Sequence, residues 1–307
     1  MTSNNFLITI VGPTAIGKTA LSIQLANHFK SDIISCDSRQ FYKEMTIGTA
    51  VPDADELAAA KHHFIQNRSV FEDYNVGSFE RDTLAKLDEL FKENPVQIMV
   101  GGSGLYVDAV LKGLDYFPEV DPKIRETLNL QLEKEGVEVL QEQLKELDLE
   151  TYNIIELQNP KRVMRALEVC IGSGIPYSTF KNKPKAPRNF TSIKIGLDAD
   201  RQIIYDRINM RVDIMIKNGL LEEAKTLYPH KNLNALQTVG YRELFSYFDG
   251  DFTKEFAISE IKKNTRRFAK RQGTWFKRDK NTLWFDYQTD INTIITEISD
   301  KINISKL

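Results

Sequence analysis

Short apolar runs alternate with longer segments of helical period along most of the chain. Residues 6–11 (FLITIV) are apolar and β-branched, which predicts a buried strand. Residues 19–29 place Ala20, Ile23, Leu25, Ala26 and Phe29 at helical spacing. A second short strand follows at 32–36, a short helix at 54–61, and an amphipathic helix at 79–93 with Leu84, Leu87, Leu90 and Phe91 inward. Residues 96–100 (VQIMV) predict a third buried strand. Strand and helix in alternation indicate an α/β fold with a parallel sheet.

From about Leu114 the texture changes. Asp121-Pro122 is an N-cap followed by proline at the first helical position. Charged helical stretches follow at 123–135, 137–147 and 160–171, and strand signals are sparse. A Pro- and Lys-rich run at 181–188 closes the segment, after which 192–197 (SIKIGL) returns to a strand pattern. Asp200 caps a long helix to 217, Gly219 ends it, and another helix covers 220–228. A last strand is expected near 283–285, with a helical tail. The predicted organisation is a sheet core in two parts, 1–114 and 189–307, interrupted by a mainly helical domain at 115–188.

Bulk properties narrow the class only slightly. A hydrophobic fraction of 41% and a charged fraction of 27% belong to an ordinary globular chain, and the net charge of −2 indicates neither a nucleic-acid binder nor a membrane protein as a whole. The two cysteines form no disulfide framework and no metal-ligand pattern, which points to a reducing compartment. No signal-length or bilayer-length apolar run is present, so the expected location is cytoplasmic. His62 and His63 point to opposite faces if they lie on a strand and cannot share a metal there; packing or polar contacts are their expected role.

The chemistry concentrates first at residues 12–19. Gly12-Pro13-Thr14-Ala15-Ile16-Gly17-Lys18-Thr19 fits the phosphate-loop pattern without a gap, between a predicted strand and a predicted helix. In that order the loop amides and helix N-terminus point at one anion. Lys18 is placed to reach the terminal phosphates and the Thr19 hydroxyl to ligate Mg²⁺. Asp37, at the end of the second strand, falls where open parallel sheets bind ligands. It fits a proton acceptor or a water-mediated Mg²⁺ ligand, and equally a helix cap. The third strand runs into Gly101-Gly102-Ser103-Gly104 and not into the acid that nucleotide hydrolases place there. Those glycines leave room for a substrate against the backbone, or simply make a tight turn.

Basic residues gather in two places. Arg162 and Arg165 lie three apart on one helix face, which on spacing alone reads as a solvated basic face. Residues 262–280 carry nine Lys or Arg and one acid, Asp279. Arg266, Arg267, Lys270 and Arg271 fall on one side of a helix, with Phe268, Trp275 and Phe276 interleaved. In a chain otherwise net acidic, this stripe suits a polyphosphate backbone better than a merely solvated face.

Taken together, the motifs resemble the tRNA dimethylallyltransferase family. GPTAIGKT at 12–19, DSRQ at 37–40, IGTA-x-P at 47–52, HH at 62–63 and GGSGLY at 101–106 carry the resemblance. So do KRVMRALEV at 161–169, VGYRE at 239–243 and NTRRFAKRQ-x-TWF at 264–276. Two departures are Ile16, where serine is frequent, and Gln66, where the family tends toward an acid after the histidines.

The resemblance implies a P-loop NTPase-like fold and transfer of a dimethylallyl group to the exocyclic amine of an adenosine. That adenosine lies 3′ of the anticodon, in tRNAs reading codons that begin with U, and diphosphate is released. It implies that residues 12–19 with Arg211 bind the donor's diphosphate, with Mg²⁺ at Thr19. Thr14, Lys18 and Asp37 would stand at the reacting centre. Asp37, Ser38, Arg39, Gln40, Ser103, Arg125, Lys161, Arg162, Val163, Met164, Arg165, Gly240, Tyr241, Arg242, Arg266, Lys270 and Arg271 would meet or position the RNA. The implied partners are the tRNA anticodon stem-loop and dimethylallyl diphosphate, with no membrane, the protein acting as a monomer. The competing readings are a small-molecule kinase or nucleotide-binding protein, and a prenyltransferase acting on a free adenine nucleotide.

Overall fold

The computed structural model describes residues 4–306. Its elements in chain order begin with β1 (Phe6–Val11), α1 (Lys18–Phe29), β2 (Ile33–Ser35), α2 (Ala54–Ala59), β3 (His62–His63), α3 (Val76–Leu90), β4 (Val96–Val100) and α4 (Gly104–Lys112). Next come α5 (Pro122–Glu135), α6 (Val137–Leu147), α7 (Leu149–Ile154) and α8 (Pro160–Ser173). The remainder is β5 (Thr191–Asp198), α9 (Arg201–Lys217), α10 (Leu220–Leu227), α11 (Tyr241–Phe248), α12 (Lys254–Phe276), β6 (Leu283–Asp286) and α13 (Ile291–Lys306).

The six strands form one sheet in the order β3-β2-β4-β1-β5-β6, and every pairing is parallel. Strand β1 lies between β4 and β5, with Ile8 opposite Ile98 on one side and Ile193 on the other. All six of its residues are buried, as expected for a strand covered on both faces. Phe6, Ile8 and Ile10 meet Leu21 and Leu25 of α1, Ile208 of α9 and Ile298 of α13. Leu7 and Val11 meet Phe79 and Leu87 of α3 and Val107 and Val110 of α4. A third cluster joins α9, α10, α11 and α12 around Val212, Leu220, Tyr241, Leu244 and Ile261.

The chain separates into two compact units, one comprising Met1–Lys112 with Arg188–Leu307, the other Gly113–Pro187. In the second, α5, α6 and α8 close over Leu128, Leu140, Leu144, Val163, Ala166 and Leu167. Asp121 accepts from the Lys123 amide at 2.9 Å to start α5, with Pro122 in the first turn. Helix α7 is not foreshadowed by the sequence pattern. It holds six residues, too short for a periodic signal, and is fixed by the buried Asp148, which accepts from Thr151 N–H at 2.9 Å and Ser178 N–H at 2.7 Å. Among the described residues, no helix is long and apolar enough to cross a membrane.

Candidate active site

The phosphate loop lies at the carboxyl end of β1, between the ends of β4 and β5, where a parallel sheet presents ligands. Gly12 has φ +141°, and a Cβ there would stand 2.5 Å from the Leu197 carbonyl oxygen of β5. Gly17, at φ +113°, turns the chain into α1. The Lys18 ammonium donates to the Gly12 and Pro13 carbonyls at 3.0 and 2.8 Å, folded back onto its own loop. Burial, and then the nearby Arg211 guanidinium, lower its pKa to about 7, against the pull of Asp37. Arg211 is itself lowered by burial and by repulsion from Arg207. Arg207 donates Nε–H to the Ala15 carbonyl at 2.7 Å and lies over the Tyr287 ring. Three cations thus converge on the loop, offset by Asp37 and, at Arg211, by Glu56 ahead of Asp37, an arrangement suited to a polyanion.

Asp37 follows β2 and opens into two cavities. Its carboxylate accepts from the Arg39 amide at 3.0 Å, and burial still raises its pKa above the usual aspartate value. One cavity, about 740 Å³, is lined by the phosphate loop, Arg207 and Arg211, and continues along Ile47, Val51, Leu57 and Ile65. The other, about 560 Å³, is a groove walled by Ser38, Ser103, Tyr106, Val239, Phe268 and Trp275. Thr14, Asp37, Gly102 and Arg211 line both. A cationic, partly apolar chamber and an aromatic groove therefore meet at Thr14 and Asp37.

Helix α12 builds one wall of the groove. Ile261, Thr265, Phe268, Gln272 and Trp275 fall on one face and all line it. Trp275 donates its indole N–H to Asp108 at 2.9 Å and stacks so closely on α4 that a Cβ at Gly104 would be 2.5 Å from the ring. Gln272 accepts from Thr14 N–H and donates to the Gly102 carbonyl, each at 2.9 Å. The Thr14 amide is consequently held by a side chain, which corrects the expectation that every loop amide faces the anion.

Several expected contact residues have other duties here. Ser103 Oγ accepts from the Ser38 amide at 3.0 Å, tying the end of β2 to the turn after β4. Arg39 donates to the carbonyls of Asn234 and Ala235, pinning the segment before Gly240. Gln40 spends its amide on Thr49 and Ala50 carbonyls. Tyr241 is fully buried, its hydroxyl donating to Glu223 at 2.7 Å. It cannot face an RNA surface. The same correction applies to Val163 and Met164, which fill the core of the helical unit. Lys161, Arg162 and Arg165 remain exposed, while Arg125 and Arg165 both ion-pair with the buried Glu168. The basic stripe also divides: Arg266 turns to Asn209 of α9 at 2.6 Å, whereas Arg267, Lys270 and Arg271 stay exposed.

The glycines after β4 serve the chain's own packing. A Cβ at Gly101 would be 2.1 Å from the Cys36 carbonyl oxygen, and one at Gly102 would be 2.2 Å from Gln272 Nε2. The space a side chain would take at each is filled by protein, while the backbones of Gly101 and Gly102 still line the cavities. His63 pairs with Asp32 at 2.7 Å and His62 with the Ala60 carbonyl at 2.8 Å. Arg207 and Gln272 are site residues to which the sequence pattern assigns no role, although Gln272 lies within the 264–276 motif. The four-residue spacing of Arg207 to Arg211 is the available signal for the first.

A parallel sheet, a phosphate loop, no acid at the end of β4 and an aromatic groove beside the loop define a P-loop-like protein with a second cavity adjoining its phosphate site. The family model described as IPP transferase matches residues 40–279. A tRNA dimethylallyltransferase of Flavobacterium johnsoniae is 67% identical over 306 residues, covering 98% of this chain and 99% of that protein. One from Christiangramia forsetii is 60% identical, covering 98% and 99%. Among solved structures, the full-length tRNA isopentenylpyrophosphate transferase of Bacillus halodurans superimposes with a TM-score of 0.74 at 35% identity, covering 98% of each chain. A eukaryotic dimethylallyltransferase acting on tRNA gives 0.80 at 25% identity, covering 97% of this chain and 77% of that one. The chain belongs to the tRNA dimethylallyltransferase family, the IPP transferases.

Proposed function

We propose that this protein transfers a dimethylallyl group from dimethylallyl diphosphate to the exocyclic amine of an adenosine in tRNA, 3′ of the anticodon, and releases diphosphate. The observation that carries this is the meeting of a cationic chamber and an aromatic groove at Thr14 and Asp37. The donor's diphosphate occupies the loop beside Lys18, Arg207 and Arg211, with its five-carbon chain along the apolar part of the same cavity. The target base leaves its stack and enters the groove between Phe268, Trp275 and Tyr106.

An adenine amine is a weak nucleophile because its lone pair is delocalised into the ring. The allylic C–O bond, by contrast, ionises readily, since the cation is resonance-stabilised. The C–O bond breaks, its electron pair stays on diphosphate, and the new C–N bond forms at the amine. Lys18 and the two arginines neutralise the charge that gathers on the leaving group. Asp37 takes the amine proton, and a raised carboxyl pKa makes it a better base than an ordinary aspartate.

Magnesium fits as a companion of the diphosphate. Among the described residues no group of three or more His, Cys, Asp or Glu could hold a metal. The Thr19 hydroxyl at the start of α1 offers one oxygen, and Mg²⁺ accepts such a site when phosphate oxygens and waters complete its shell. It would supply charge neutralisation on the leaving group. Residues 113–187 and the exposed cations of α12 would hold the anticodon stem-loop through its phosphates.

The decisive experiment incubates purified protein with Mg²⁺, dimethylallyl diphosphate and unmodified tRNA, then reads the nucleosides by mass. The expected product is an adenosine heavier by one dimethylallyl group. Modification of free AMP without tRNA, or ATP turnover without tRNA, would instead favour the other readings.

A further inference from the structure

We infer that Gln272 is a positioning residue for prenyl transfer: its carboxamide locks the phosphate loop to the turn after β4 and sets both against the helix that walls the groove. This role presupposes the transfer proposed above. The geometry admits one orientation of the amide. Thr14 N–H can only donate and the Gly102 carbonyl can only accept, so Oε1 must face Thr14 and Nε2 must face Gly102, as they do at 2.9 Å each. Gln272 is 6% exposed, and Gly102 has no Cβ in the space that Nε2 occupies.

Three segments far apart in sequence are joined by these two bonds. Thr14 stands where the two cavities meet, Gly102 lines both, and α12 carries Phe268 and Trp275 into the groove. Lys270 and Arg271 precede Gln272 on the same helix and are exposed. One side chain therefore relates the helix that faces the nucleophile to the loop that holds the leaving group. No other residue type serves both bonds at this length without taking up a proton. Asparagine falls one methylene short, methionine has the length without the polar atoms, and glutamate offers two acceptors when ionised.

Gln272→Met should keep the fold and the tRNA affinity but lower kcat by roughly 10²-fold, the size expected when reacting groups are displaced by about 1 Å. Amide exchange across residues 12–17 should be faster in this variant in the absence of any substrate. Gln272→Glu supplies a second arm. A protonated carboxyl accepts through C=O and donates through O–H, as the native amide does, whereas the ionised form turns a second acceptor on the Gly102 carbonyl. Its kcat relative to wild type should rise as pH falls, and its thermal midpoint relative to wild type should rise with it, because the ionised form is disfavoured in the folded state.

Wild-type kcat in Gln272→Met, or unchanged exchange across the loop, would overturn the inference. A parallel loss of kcat, tRNA affinity and thermal midpoint would overturn it too, by showing a general packing role, as would a pH-independent ratio for Gln272→Glu. Failure of the wild-type protein to prenylate tRNA would instead strike the functional reading, and the exchange measurement reports on the loop in either case.

Discussion

At the scale of single residues, the roles proposed for Lys18 and Asp37 predict the pH behaviour. Lys18 is lowered from 10.5 to about 7 by burial and by Arg211, so in the free protein it is charged below about 7 and loses its proton above. The donor's diphosphate favours the charged form, so its binding raises that pKa and takes up a proton. The kcat/KM for the donor should therefore fall as pH rises through about 7. In Lys18→Arg that alkaline limb should move beyond the assay range, because a guanidinium keeps its proton. As the proposed base, Asp37 should set the acid limb. Its pKa is raised, so the active carboxylate is lost at a higher pH than an ordinary aspartate would show as pH falls. Asp37→Ala should reduce kcat by roughly 10²–10⁴-fold and leave tRNA affinity nearly unchanged. Equal losses in turnover and in tRNA binding would remove Asp37 from the role of base.

At the scale of elements, α12 presents a groove-lining face and a row of exposed cations. Its groove face is largely apolar and aromatic, Arg271 is exposed at the edge of that face and also lines the groove, and Arg267 and Lys270 are exposed beside it. Reversing the charge of these three to Glu should weaken tRNA binding and flatten its salt dependence, by about one unit in the log–log slope for each phosphate no longer neutralised. Arg266→Glu should instead act on the hydrogen bond to Asn209, with little change in slope, since its guanidinium is turned to α9. The strand ends are similarly exacting. Gly101→Ala places a Cβ against the Cys36 backbone, where no flexible side chain can yield, and should destabilise the protein by about 1–3 kcal/mol in denaturant titration.

At the scale of the whole molecule, the helical unit leaves and re-enters the sheet unit at adjacent points. Arg188 donates to the carbonyls of Ala109 and Val110 at 2.7 and 2.8 Å, so the chain on either side of residues 113–187 is already joined. Replacing residues 114–186 by a short Gly/Ser linker should leave a sheet unit that folds and still binds pyrophosphate with Mg²⁺. Affinity for tRNA should fall steeply. Retention of full tRNA affinity by that shortened protein, measured by filter binding, would remove the helical unit from RNA recognition.

The sequence by itself determined the alternation of buried strand and amphipathic helix, because the central strands are apolar on both faces and each long helix carries an apolar stripe. It also determined the phosphate loop, since eight consecutive residues specify its turn, its helix start and its cation. Asp37 at a strand end and the basic α12 followed from position and period. Only the tertiary structure decided which side chains reach the site. Period could not tell that Val163, Met164 and Tyr241 face inward or that Arg266 answers to Asn209, because burial depends on which helices pack against that face. Nor could it show Gln272 spanning Thr14 and Gly102, 258 and 170 positions away, since such a bond exists only after the sheet has brought three segments together. Local order is written in local sequence, whereas the donors and acceptors of a buried site find each other only across the folded core.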